Sequence, residues 1–232
     1  MKKNKLLVIL FFNIFFLNIA LSQKNGKVVY EIKSIDFVPK EQNSEVDEMI
    51  EKAKKQTFIL LFNEKNLSNF EMVNTMSKEE NPMNDFLEKM AAIRFTCNFT
   101  FFSDNNQNKN YYLYSDGTIV HDNSQKKWLI SKETKEIDGY LCYQATHKYE
   151  YLARNNKMKE RIITAWFAPS LPYSFGPKNY NGLPGLILEL QDWDTTFLAT
   201  KIELSDKEIV IDLPKGKTIT QEEYERKVLS GN

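Results

Sequence analysis

Residues 166–190 read WFAPSLPYSFGPKNYNGLPGLILEL. Pro169, Pro172 and Pro177 each fix a backbone angle in this stretch. Gly176 and Gly182 admit conformations closed to other residues. Leu183-Pro184-Gly185-Leu186 places Pro and Gly at the two central positions of a type II turn. Leu186, Ile187 and Leu188 then enter a strand, and residues 160–168 form another before the prolines. The stretch therefore reads as two strands joined by a long, stiff, aromatic-bearing connection that ends in a tight corner. A connection of this length without regular structure of its own is often functional.

The pattern extends outward in both directions. Leu141, Tyr143, Ala145, His147 and Tyr149 alternate with Cys142, Gln144, Thr146 and Lys148, which predicts a half-buried strand. Asp138-Gly139 and Ser115-Asp116-Gly117 sit between apolar runs and predict hairpin turns. Further strands are expected at 28–33, 57–62, 67–74, 95–102, 111–120, 128–130, 196–204 and 207–212. Val46, Met49, Ile50 and Ala53 recur at helical spacing, so 44–55 is an amphipathic helix, with Ser44 and Asp47 as its capping box. Pro82 opens a second helix carrying Met83, Phe86, Leu87 and Met90. Thr220 with Glu223 caps a short last one. The fold class is mainly β (α+β): a strongly curved antiparallel sheet or partly open barrel, with two to three short helices covering one face.

The chain has 232 residues with 31 Lys+Arg against 31 Asp+Glu, so no overall field attracts nucleic acid or an anionic surface. Residues 1–22 read as a secretory signal peptide: Lys2, Lys3 and Lys5, an apolar run from Leu6 to Leu21, then Ala20 and Ser22 before the cut. The run is too short to span a bilayer. Residues 23–232 then form a single exported domain that does not span a membrane, periplasmic, outer-membrane-associated or secreted. Cys97 and Cys142 are either a disulfide, common outside the cytoplasm, or two separate buried thiols.

No metal, cofactor or catalytic motif is legible. His121 and His147 fall on separate strands, without zinc spacing. Gly216-Lys217-Thr218 lacks the leading glycine of a phosphate loop. Ser174 lacks the preceding Gly of a nucleophile elbow. Residues 157–161 read as a solvated basic strand end. Asp192 and Asp194 flank Trp193, the neighbours a carboxylate-dependent hydrolase would use with Glu189, although in a turn they would only cap backbone N–H groups.

Gly182-Leu183-Pro184-Gly185-Leu186-Ile187 spells the motif of the GLPGLI family, exported proteins of Bacteroidetes-type bacteria, and the chain resembles that family. Trp166, the Pro172, Gly176 and Pro177 element, Tyr180, and Ile137-Asp138-Gly139-Tyr140-Leu141-Cys142 followed by Ala145-Thr146 are also similar to it. The resemblance brings no established activity and no catalytic residues. It leaves a non-enzymatic protein that binds a hydrophobic ligand or an outer-membrane transport partner in an apolar cleft. Residues 172–188 would gate the cleft, and Trp166, Tyr173, Phe175 and Tyr180 would make the contacts. The alternatives are the hydrolase and a structural envelope protein that pairs through its edge strands.

Overall fold

The computed structural model describes residues 24–39, 41, 43–73, 82–152 and 157–230. The expected signal peptide lies outside them. Twelve strands are described: β1 (Asn25–Ile35), β2 (Thr57–Phe62), β3 (Leu67–Met72), β4 (Thr100–Asp104), β5 (Lys109–Leu113), β6 (Ile119–Asp122), β7 (Trp128–Ile137), β8 (Tyr140–Leu152), β9 (Met158–Ala168), β10 (Leu186–Asp192), β11 (Thr195–Ser205) and β12 (Thr218–Thr220). They form one sheet in the order β12-β6-β5-β4-β3-β2-β1-β11-β10-β9-β8-β7. It is mixed, because β12 pairs with β6 in parallel while the other pairings are antiparallel. The sheet is open, with β12 and β7 at its two ends, so the barrel alternative is not formed.

The local signals work where they are short-range. Asp138 (φ 49°) and Gly139 (φ 77°) are both left-handed between the paired residues Ile137 and Tyr140, the geometry a two-residue hairpin prefers. Gly117 (φ 81°) closes the β5–β6 hairpin, its N–H donating to Tyr114 O at 3.0 Å. Elements with weaker signals differ. Residues 207–212 form no strand, and β12 lies further on, at Thr218–Thr220. The strand expected from residue 95 begins at Thr100, because the preceding helix continues through Phe95.

Three helices are described: α1 (Ser44–Lys54), α2 (Pro82–Phe95) and α3 (Gln221–Ser230). Asn43 caps α1 in place of the expected Ser44–Asp47 box: its Oδ1 accepts from Glu45 N at 2.9 Å and Val46 N at 3.4 Å. The Thr220–Glu223 box does form. Glu223 Oε2 accepts from Thr220 N at 2.8 Å, and Thr220 Oγ1 accepts from Glu223 N at 3.1 Å. α1 and α2 pack on each other through Ala53, Ala91 and Phe95, against Ile35 and Phe37 at the end of β1. α3 packs on β12 and β6. α1 and α2 thus sit by the end of β1, and α3 by the β12 edge of the sheet.

The main core lies on one face of the sheet. Val28, Tyr30, Phe58, Leu60, Phe62, Phe70, Ala165, Phe167, Leu190 and Phe197 belong to it. What fills the hollow of the sheet is the stretch between β9 and β10. Its backbone is hydrogen-bonded into the core, Leu186 N to Leu171 O at 2.9 Å and Ile187 N to Phe175 O at 3.0 Å. Phe175 lies 5.2 Å from the Phe62 ring and Tyr173 lies 4.7 Å from it. Asn181 Nδ2 reaches Asn105 Oδ1 at 3.0 Å and Asn110 Oδ1 at 3.2 Å, and its carbonyl accepts from Trp128 Nε1 at 2.8 Å. The connection therefore bridges β2, the β4–β5 hairpin and β7 across the inside of the curve.

Two glycines let it do so. A Cβ on Gly185 would stand 2.3 Å from Ala168 O, so the chain can approach the end of β9 only without a side chain. The left-handed residue is Gly182 (φ 88°), whereas Gly185 has no positive φ. The type II turn expected at Leu183-Pro184-Gly185-Leu186 is thus not made. The glycine at its third position serves close approach instead.

Candidate functional site

Of the four aromatics that the sequence proposes for contacts, Trp166 lies on β9 and Tyr173, Phe175 and Tyr180 lie on the β9–β10 connection. Phe175 is 3% exposed and Tyr180 6%, both within the core, and Tyr173 packs against it. Trp166 shares a register row with Gln144 and Glu189, on the face opposite the buried row Ala145, Ala165 and Leu190. There Lys135 Nζ stands 4.2 Å over its ring. Within the segment 172–188, Phe175 and Tyr180 thus lie in the core and Tyr173 packs against it.

The three carboxylates named from sequence are also divided. Glu189 joins that opposite face, where its oxygens accept from Lys135 Nζ at 2.6 Å and Lys33 Nζ at 2.8 Å. Burial raises its carboxyl, but the two lysines outweigh this and hold it below the usual range. Asp192 and Asp194 instead line a pocket of about 270 Å³ with Arg94, Phe95, Thr96, Arg161, Lys178, Trp193 and Thr195.

The pocket is assembled from β9, β10, β11, the end of α2 and the β9–β10 connection. Asp192 ends β10 and pairs with Thr195 at the start of β11, so Trp193 and Asp194 are a two-residue hairpin loop. Arg161 comes from β9, in register with Tyr149 of β8. Arg94 and Phe95 end α2, and Thr195 Oγ1 ties the helix to the sheet by donating to Phe95 O at 2.6 Å. Lys178 comes from the connection between β9 and β10. Its Nζ donates to Asp192 Oδ2 at 2.6 Å.

Two residues here adopt backbone conformations that their side chains disfavour. Five non-glycine residues among those described have positive φ. Asn66, Asn108 and Asp138 are residue types that tolerate it. The other two, Lys178 (φ 57°) and Trp193 (φ 60°), both line the pocket. Trp193 occupies the first position of a two-residue hairpin loop, where positive φ calls for Asn, Asp or Gly. Its ring is 47% exposed and lies 4.6 Å from the Arg161 guanidinium and 5.5 Å from the Tyr151 ring.

The electrostatics separate the two aspartates. Burial raises the Asp192 carboxyl, but Lys178, Arg161 and hydrogen bonds from Lys178 and Tyr180 overcome it and hold the group below its ordinary value. Burial raises Asp194 as well, and the nearby Asp36 adds to this; the opposing Arg94, Arg161 and Trp193 do not reverse it. Ion pairing is incomplete. Arg161 approaches Asp192 Oδ1 only to 3.6 Å, and Arg94 approaches Asp194 Oδ2 to 3.9 Å. Asp192 Oδ1 and Arg161 Nε have no hydrogen-bond partner among the described residues.

Other sequence candidates resolve simply. Cys97 and Cys142 are two free, buried thiols and not a disulfide; burial pushes the first up to about 12 and the second to about 11. Among the described residues no three His, Cys, Asp or Glu side chains are placed to hold a metal ion. No described helix is long and apolar enough to cross a membrane.

Arg94, Arg161 and Lys178 were not singled out from sequence. Arg161 was read as part of a solvated strand end, and Lys178 has no local pattern. One signal was available: Asp192-Trp193-Asp194-Thr195 is a tight turn whose centre holds neither Gly nor Asn.

A family described as "Protein of unknown function (Porph_ging)" matches residues 148–189, which include Arg161, Lys178 and the Gly182–Ile187 motif. A search of characterised proteins finds no match. Among solved structures, PNGF-II in its C2 and P21 space groups is similar, at TM-scores of 0.51 and 0.52 and 14% identity. The likeness covers 89% of this chain and 33% of each of those chains, so this chain spans about a third of their length. At that identity it concerns the fold alone. The chain thus shares its β8–β10 region with a family of unknown function, on a β fold that resembles part of a longer protein.

Proposed function

We propose that the chain is an exported, non-catalytic binding module of GLPGLI type that takes a small polar ligand in the pocket beside the β10–β11 turn. The observation that carries this is the convergence of Lys178 and Trp193, both left-handed against their side-chain preference, on one cavity. Such strain costs about 1–3 kcal/mol per residue and clusters at ligand sites. The half-exposed Trp193 adds apolar surface, and the partly exposed Arg94 and Asp194 add charged groups a ligand can reach. On this reading the 172–188 segment is a core strap. A hydrophobic ligand or an outer-membrane transport partner loses the apolar gate that recommended it.

The test is an NMR titration of ¹⁵N-labelled protein, with the Trp193 indole assigned through Trp193→Phe. Acetate, glucose, glucuronate, inorganic phosphate and octanoate are added in turn. Saturable shifts at Trp193 with one or more polar probes are expected. Shifts with octanoate alone, centred on the Trp128 and Trp166 indoles, would return the argument to an apolar cleft.

A second reading has one observation behind it: the pocket holds one carboxyl pushed up and one pushed down, the division of labour in carboxylate-dependent hydrolysis. Against it, Asp192 is engaged by Lys178 and Arg161, which weakens it as base or nucleophile. Hydrolysis of a glycoside that vanishes in the Asp194→Asn variant would favour this reading.

A further inference from the structure

Resting on that pocket, we propose that its ligand class is an acidic monosaccharide, a pyranose ring bearing a carboxylate. The lining carries Arg94, Arg161 and Lys178 against Asp192 and Asp194, one positive charge in excess. Lys178 is committed to Asp192. The two arginines are held by ring faces and less by anions. Arg94 lies 4.5 Å from the Phe37 ring and 4.9 Å from Phe95, and Arg161 lies 4.6 Å from Trp193 and 4.7 Å from Tyr149. These contacts hold the two guanidiniums in place, while the long ion pair to Asp194 leaves the partly exposed Arg94 with an N–H edge to offer. A planar carboxylate matches such an edge with two parallel hydrogen bonds.

The rest of the pocket asks for hydroxyls and an apolar ring face. Asp194, whose side chain is 25% exposed and 3.9 Å from Arg94, can accept from a ligand O–H. Trp193 is 47% exposed, and the part of its indole that Arg161 and Tyr151 leave uncovered offers apolar surface to the C–H face of a sugar ring. The volume of about 270 Å³ is just below that of pockets for drug-sized ligands and suits one ring. A phosphate dianion would face Asp192 and Asp194 without using the platform. A neutral sugar would leave the guanidinium edges unfilled.

The experiment is isothermal titration of the exported domain with D-glucuronate, D-glucose, acetate and inorganic phosphate. It is repeated on Trp193→Ala and on Arg94→Gln, whose side chain is partly exposed and whose loss leaves the core intact. Glucuronate is expected to bind at least tenfold more tightly than glucose or acetate. Trp193→Ala should weaken it tenfold or more, and Arg94→Gln should reduce its preference over glucose to within threefold. Glucose or phosphate binding as tightly as glucuronate would overturn the acidic-sugar assignment and leave the pocket standing as a ligand site. No heat with any of the four probes, from protein shown to be folded by circular dichroism, would overturn both.

Discussion

Replacing Trp193 by alanine and, separately, by glycine isolates the backbone strain on which the site rests. Both variants lose the indole, and with it the contacts to Arg161 and Tyr151, so those losses cancel between them. What differs is the residue left at φ 60°. A residue with a β-carbon pays about 1–2 kcal/mol to be left-handed. Glycine avoids this but loses about 0.5–1 kcal/mol more conformational entropy on folding. The glycine variant is therefore expected to be the more stable by about 1 kcal/mol, the reverse of the usual order. For a chain of this size that is about 2–4 °C in Tm. Urea unfolding monitored by far-ultraviolet circular dichroism, with m-values compared, reads the difference. An alanine variant as stable as the glycine variant, or more stable, would show that the turn carries no strain, and the argument from strain to ligand site would lose its basis.

Three other outcomes test the structure around the pocket. Gly185→Ala should cost about 3 kcal/mol, because the new methyl meets the Ala168 backbone, whereas Gly182→Ala, with Trp128 3.9 Å away and strain alone to bear, should cost about 1–2 kcal/mol by thermal unfolding. Asp192→Asn should cost about 3 kcal/mol at pH 7 by leaving Lys178 and Arg161 without their anion. Because the folded Asp192 carboxyl sits below its ordinary 3.8, its contribution is present above 3.8 and is lost as pH falls from there through the lower folded value, so the variant's stability should change less than wild type's below pH 3.8. In a thiol-reagent assay without reductant, the native protein should react negligibly and the denatured protein should release two equivalents, one each from Cys97 and Cys142. Release of none would restore the disulfide.

The sequence by itself determined the features whose causes lie within a few residues. Alternation along 141–149 placed a strand, Asp138-Gly139 placed a hairpin, and Thr220 with Glu223 placed a helix start, because each is set by neighbouring dihedrals and short-range hydrogen bonds. The same locality misled at Leu183-Pro184-Gly185-Leu186. Pro-Gly names a turn, but the absent side chain of Gly185 answers to Ala168, a contact made only once β9 and β10 pair. Nor could sequence decide which way the 169–185 connection would go. A stiff aromatic loop serves equally as an outer lip or an inner strap, and bonds such as Asn181 to Asn105 join residues far apart in the chain. The pocket depended most on tertiary structure: Arg94, Arg161, Lys178 and Asp192 come from four separate segments of the chain, and only the folded chain brings their charges around one cavity.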